Sequence, residues 1–374
     1  IRARKIIFKK TLLDWPLVIY FVILLVSSLF SIDPRTSWLG YYGRFNGGLL
    51  SQICYAILYW AFVSNLNDKQ AKQSLLIGVF SLALASILAI GEHFGFFATC
   101  GLMGFEWSKS CWVQDVQNRV YSTLGQPNWL AAMVTALIPV IWYALISKTQ
   151  TLKSKIRWIS ISVAFFVTLL FTKSRSGFLA FGFEFIVFWG LVFWQSKFKH
   201  LKDFVLLSLL FGLLTFVILF KPTADNNEPP AVAGPALESG GTESGTIRKY
   251  VWLGAFAVFK NHPILGTGPE TFAFSFPKYK PVEHNLTSEW DFIYNKAHNE
   301  FLNYLANNGI VGFASYLSLI ICSVIVIYKS KRFDLLAGYF SILVTNFFGF
   351  SVVPVSLLFF LFPAVAIVGG QKEE

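Results

Sequence analysis

Charged side chains are scarce in this chain of 374 residues, at 14%, while 55% of its residues are hydrophobic. A soluble domain is about one quarter charged, so a water-soluble globule is excluded. Four cysteines are too few for a disulfide-scaffolded secreted fold. Acids are outnumbered 20 to 31 by Lys and Arg, and a net charge of +11 would suit a nucleic-acid partner if the cations shared one surface. Their placement, given below, excludes that. What is abundant is aromatic surface, with 40 Phe, 12 Trp and 14 Tyr, which lipid faces and interfacial belts use freely.

A helix needs about 20 largely apolar residues to cross a bilayer. Ten segments qualify: 15–31, 48–64, 74–97, 128–147, 157–172, 177–195, 204–220, 309–328, 335–351 and 354–369. Cytoplasmic loops retain Lys and Arg. One set of alternating short segments holds 18 of them, from the N-terminal stretch of Arg2, Arg4, Lys5, Lys9 and Lys10 to Lys372, and the opposite set holds six. The excess charge is therefore a topology signal, with both ends cytoplasmic. The expectation is an all-α polytopic membrane protein with about ten transmembrane helices and a large, partly helical loop on the periplasmic or extracellular side. It divides into an N-terminal bundle of about seven spans (1–220), the loop (221–308) and three C-terminal spans (309–374). Ile1 is followed by a basic stretch without a signal-peptide cleavage pattern, so the chain reads as a piece that starts between two spans.

Within the loop, 222–245 is rich in Pro, Gly, Ser and acids and has little to bury, which predicts disorder. Ile247, Val251, Trp252, Ala255, Phe256 and Phe259 then recur at helical spacing and predict an amphipathic helix on the membrane or against the bundle. Gly268-Pro269 is suited to opening a second short helix, and a third is expected from Asn295 as cap to a stop at Asn307-Asn308-Gly309. Cys100 and Cys111 share one polar loop on the outer side, where an oxidising compartment permits a disulfide. Cys54 and Cys322 fall in apolar runs and read as small hydrophobes.

Arg248 and Lys249 stand near a helix start, where unpaired N–H groups and a guanidinium fork suit phosphate. A surface Arg and Lys reaching the lipid headgroups is the competing reading. His298, placed in a first helical turn, is kept neutral by the helix dipole and fits a general base, or else a hydrogen-bonded packing residue. Arg175, in the short hinge 173–177, sits at headgroup depth, where it reaches a lipid phosphate or simply anchors the interface. Glu184 is an intramembrane carboxylate, either functional or paired with a basic neighbour. His93, His262 and His284 lack carboxylates or cysteines at ligand spacing, so no metal is expected.

Three segments together resemble the O-antigen ligase and O-antigen polymerase superfamily: SRSGFLAF at 174–181, IRKYVWLGAFAVFKNHPILGTGPETF at 247–272 and AHNEFLNYLANNGIVGF at 297–313. YYGRFNGGLL at 41–50 and STLGQPNWLAAM at 122–133 add weaker matches. The resemblance implies a GT-C-like membrane glycosyltransferase in the cytoplasmic (inner) membrane of a bacterium, its active site facing the periplasm. It implies a glycan donor linked to undecaprenyl diphosphate, a lipid, protein or glycan acceptor, no cofactor and no nucleic acid. It assigns diphosphate binding to Arg175 and Arg248 and action on the acceptor hydroxyl to His298. Arg44, Arg119, Gln126, Asn128 and Asn299 are candidates for sugar or phosphate contacts. The family's spans number about twelve, so two would precede this chain. Ligase and polymerase stay open, as does a transporter or flippase for an amphipathic substrate, although no internal repeat favours the last.

Overall fold

A computed structural model describes residues 8–108, 111–112, 115–147, 150–219 and 242–370. The basic residues Arg2, Arg4 and Lys5 lie outside them, as do 222–241 of the stretch expected to be disordered. From Thr242 the chain is held, since Thr242 and Ser288 exchange two hydrogen bonds of 3.0 and 2.9 Å.

The described residues contain fourteen α-helices and no strand. In chain order they are α1 (Asp14–Leu29), α2 (Pro34–Leu39), α3 (Leu49–Asn65), α4 (Asp68–His93), α5 (Ala98–Leu102), α6 (Pro127–Leu145), α7 (Leu152–Thr172), α8 (Arg175–Ser196), α9 (Leu201–Leu219), α10 (Ser244–Asn261), α11 (Phe272–Tyr279), α12 (Glu300–Lys329), α13 (Phe333–Phe347) and α14 (Val353–Gly369). Six of them (α4, α6, α7, α8, α9 and α12) are long and apolar enough to cross a membrane, and α1, α3, α13 and α14 are shorter apolar helices. Each of the ten expected spans coincides with one of these ten, so the chain is an all-α polytopic membrane protein.

Their ends follow local chemistry. Asn67 and Gln70 form a reciprocal capping box before α4, Asp33 caps α2 with Pro34 in its first turn, and the Thr151 and Ser174 side chains cap α7 and α8. Such caps satisfy N–H groups that the helix itself leaves unpaired.

The chain folds as two compact units. The first comprises 1–64, 223–325 and 346–353, and the second 65–222, 326–345 and 354–374. In the second, α6 is the enclosed helix. Its Trp142 is fully buried, donates to Ser162 of α7 at 3.0 Å and is ringed by Phe181, Phe185 and Phe188 of α8. Glu184 is fully buried too, and no cation pairs with it among the described residues. Cys100 and Cys111 form a disulfide, with their Cα atoms 5.8 Å apart, beside a small core of Phe97, Val116 and Tyr121.

In the first unit the long loop builds a core of its own from Ile247, Val251, Ala255 and Val258 of α10, Phe272 and Phe276 of α11, Tyr294, Ala297 and Ala306. The buried stripe of α10 is rotated from the one its sequence suggested: Val258 and Gly254 point inward, whereas Phe256 is exposed. The reason is α11, whose Phe276 ring lies where a Gly254 side chain would stand. The third loop helix starts at Glu300, four residues later than expected. Residues 295–299 are not helical because Asn299, not Asn295, is the cap. The expected stop at Gly309 is a break inside α12, where φ 61° and ψ −167° interrupt an otherwise continuous helix.

Candidate functional site

In the first unit the site rests on a seam between two backbones. The N–H groups of Thr267 and Gly268 bond the carbonyls of Ala306 and Asn307 at 3.3 and 2.8 Å, just before the break in α12. Past the break, those of Ile310 and Val311 bond the carbonyls of Pro263 and Ile264 at 2.8 and 3.3 Å. A helix interrupted at Gly309 would otherwise bury unpaired polar groups. Gly266, Gly268 and Gly309 all have positive φ, and a Cβ on Gly266 or Gly309 would overlap the facing main chain. The glycines of the 263–268 strap and of Asn307-Asn308-Gly309 thus serve one joint. Ser27 and Ser37 tie the strap to α1 and α2 through the carbonyls of Leu265 and Pro269, at 2.9 and 2.8 Å.

That joint presents His298. Asn299 caps α12, its side-chain oxygen accepting from the Leu302 N–H at 3.0 Å, and Asn303 accepts from the Ala297 N–H at 3.2 Å. His298 therefore precedes the cap instead of lying in the first turn, with a left-handed φ of 52°. Its imidazole is pushed down to about 4, first by burial and then by the positive charges of Arg248 and Arg44. The ring meets Tyr294 and Phe350 at centroid distances of 5.9 and 5.3 Å, and the Arg44 guanidinium lies 5.6 Å from the same Phe350 ring. Arg248, in the second turn of α10, is half-buried, while Arg44 is exposed. An uncharged imidazole near two guanidinium groups can accept a proton, and guanidinium groups can meet an anion.

Sequence reasoning missed the charges beneath it. Lys296 and Glu270 form a buried ion pair, and Glu300 is buried with them. Burial opposes the Lys296 charge, but Glu270 and then Glu300 outweigh it, so its ammonium is held above the usual lysine range. The signal in the sequence was that Glu270 and Lys296 are ionisable residues close to the glycine strap and to His298. Glu300 is followed one turn later by Tyr304, whose hydroxyl meets that of Tyr20 at 2.5 Å.

The second unit gathers a different set. Lys173, in a left-handed conformation, ends α7, and Ser174 starts α8 by accepting from the Gly177 N–H at 3.2 Å. The Ser174 hydroxyl donates to Asn128 at 2.8 Å, Arg119 donates to the Thr172 carbonyl at 3.1 Å, and Lys173 reaches Asn118. A Cβ on Gly177 would lie 2.7 Å from that of Ala131, so glycine is what lets α8 approach α6. Arg175 is the first residue of α8 and is exposed. Gln126 stands at the start of α6 without capping it through its side chain. Arg119 and Asn128 are thus brought to the Arg175 turn, and Arg44, Arg248, His298 and Asn299 to the other unit.

The remaining histidines are engaged elsewhere. His93 stacks on Phe171 at 3.8 Å, His262 meets the Tyr279 hydroxyl at 3.3 Å, His200 lies 3.7 Å from Asp203, and His284 is buried against Phe276 and Tyr294. No group of three or more His, Cys, Asp or Glu could hold a metal ion among the described residues.

Residues 160–317 match a family model described as O-antigen ligase. The matched segment contains the Arg175 turn, Arg248, the strap, His298 and the break in α12, and leaves out Arg44, Arg119 and Asn128. No curated protein matches the chain.

Proposed function

We propose, from the membership in the O-antigen ligase superfamily that this match supports, that the chain transfers a glycan from an undecaprenyl-diphosphate carrier to an acceptor hydroxyl or amide. The match supports a membrane glycosyltransferase of the ligase or polymerase type, and the residue roles extend it. The acceptor O–H gives its proton to the neutral His298 as its oxygen attacks the anomeric carbon. The bond from that carbon to the diphosphate oxygen breaks, and the leaving group departs with the electron pair. Arg175 and Arg248 stabilise the negative charge it gains, which fixed guanidinium groups do best where water is partly excluded. Attack opposite the leaving group inverts the anomeric centre. No metal or nucleotide sugar enters this scheme.

The observation that carries the reading is the uncharged His298 beside Arg248 and Arg44, within the matched segment. The side of the membrane is part of the proposal. The Cys100–Cys111 disulfide fits an oxidising compartment, and the 18-to-six distribution of basic residues supports placing that loop opposite the cytoplasm. The reaction would then occur at the periplasmic face of a bacterial inner membrane.

The test is to reconstitute the full-length protein in lipid vesicles with carrier-linked repeat units, with and without added acceptors. A single transfer onto an added acceptor marks a ligase, and a ladder of repeats marks a polymerase. Absence of product with every acceptor, from protein shown to be folded, refutes the reading.

A further inference from the structure

Three segments of the first unit meet on one charged pair below His298. Lys296 precedes His298 by two residues, and its partner Glu270 lies two residues past the strap; their side chains are 5% and 4% exposed. Gly47, three residues after Arg44, lies against the Glu270 carboxylate, which a Cβ there would overlap. The pair therefore joins the loop of Arg44, the strap and the segment of His298. Two of its surroundings are conformationally unusual, because Glu270 and His298 are both non-glycine residues with left-handed φ, 62° and 52°. Side chains persist there only when neighbouring structure imposes the conformation. A buried ion pair is also a poor stabiliser, since well-packed apolar residues in its place are often as stable or more so. Its value must then lie in something other than folding energy.

We propose that the Lys296–Glu270 pair is a positioning element, which pins the His298 segment and the strap in their left-handed conformations and sets His298 against Arg44. Neither residue touches the reacting atoms. The bearing on catalysis rests on the function proposed above, whereas the geometry does not.

Replacing both residues by methionine separates the two roles. The full-length E270M/K296M protein should melt close to wild type, because the paired charges leave together and the one carboxyl left buried beside them, Glu300, can take up a proton. Its His298 should nonetheless react severalfold faster with diethyl pyrocarbonate at neutral pH, followed by peptide mass spectrometry, because the imidazole is no longer held in place. Glycan transfer should lose about tenfold to a hundredfold in kcat with KM little changed, since a displacement of about 1 Å costs on the order of a hundredfold. Glu270→Gln, nearly isosteric, serves if the double variant does not fold and should move the His298 rate in the same direction. Lys296→Arg, which keeps the pair, should leave that rate near wild type. An unchanged His298 rate in a folded double variant, or in E270Q, overturns the proposal. Because the labelling needs no glycan, a wild-type protein without transferase activity would sink the proposed function and leave this test standing.

Discussion

Around His298, charged groups and aromatic rings are enclosed together, whereas the turn of Arg175 is ordered by hydroxyl, amide and backbone groups and leaves Lys173, Arg175 and Arg119 at the surface. The contrast matches two different chemical needs. A proton acceptor must be uncharged and fixed before its substrate arrives, and burial among cations achieves the first while a tight backbone achieves the second. A group that meets a diphosphate gains from waiting in water, because a guanidinium buried without its anion is costly. Under the proposed function, the enclosed region suits proton transfer and the exposed turn suits an anionic ligand.

The comparison breaks most visibly at His298 itself. His298→Ala should lower turnover of carrier-linked glycan in vesicles by about 10²- to 10⁴-fold, the usual contribution of a positioned base. Turnover within about twofold of wild type would leave the enclosed region without a chemical role. Next in size, Arg175→Ala and Arg248→Ala should each cost about 10²-fold in kcat. Lysine at either position should recover little of the loss, because an ammonium lacks the planar fork that matches two phosphate oxygens.

A pH profile sharpens the contrast further. An ordinary histidine titrates at about 6.5, but His298 is pushed down to about 4. Turnover should stay level as pH falls through 6.5 and drop only near 4, where the imidazole protonates in the folded enzyme. An inflection near 6.5 would mean that the imidazole is solvated and not enclosed. The sign for stability follows. The unfolded chain takes up this proton first, so the contribution of His298 to stability is complete above about 6.5 and is lost as the pH falls toward 4. The smallest effect belongs to the Arg175 turn: Ser174→Ala removes the cap of α8 and should destabilise by about 1 kcal/mol in thermal or denaturant unfolding.

The ten apolar helices, six of them long enough to cross a membrane, were legible because a bilayer imposes a length and a composition that hydropathy reads directly. The candidate residues His298, Arg248 and Arg175 could be named from motifs, but the physical reason for a neutral His298 could not. Its position before the cap, and its two arginine neighbours, depend on which asparagine caps α12, and Asn295 and Asn299 look alike in sequence. Lys296 and Glu270 were invisible as a pair because 25 residues of intervening chain, including all of α11, separate them. The strap's glycines could be read as turn formers, but not as the close approach of one main chain to another, since that requires the partner at 306–311.

The seam at 263–268 and 306–311 bears on how the membrane itself acts on this protein. An interrupted helix is ordinarily a hinge, free to bend as the span below it tilts in a thicker or thinner bilayer. Here a strap bonds to the helix on both sides of the interruption, like a splint across a fracture. The bend is therefore fixed. Tilt imposed on the upper part of α12 carries the strap and its neighbours Glu270 and His298 along as one piece, so bilayer thickness can move this region but has little lever for distorting it.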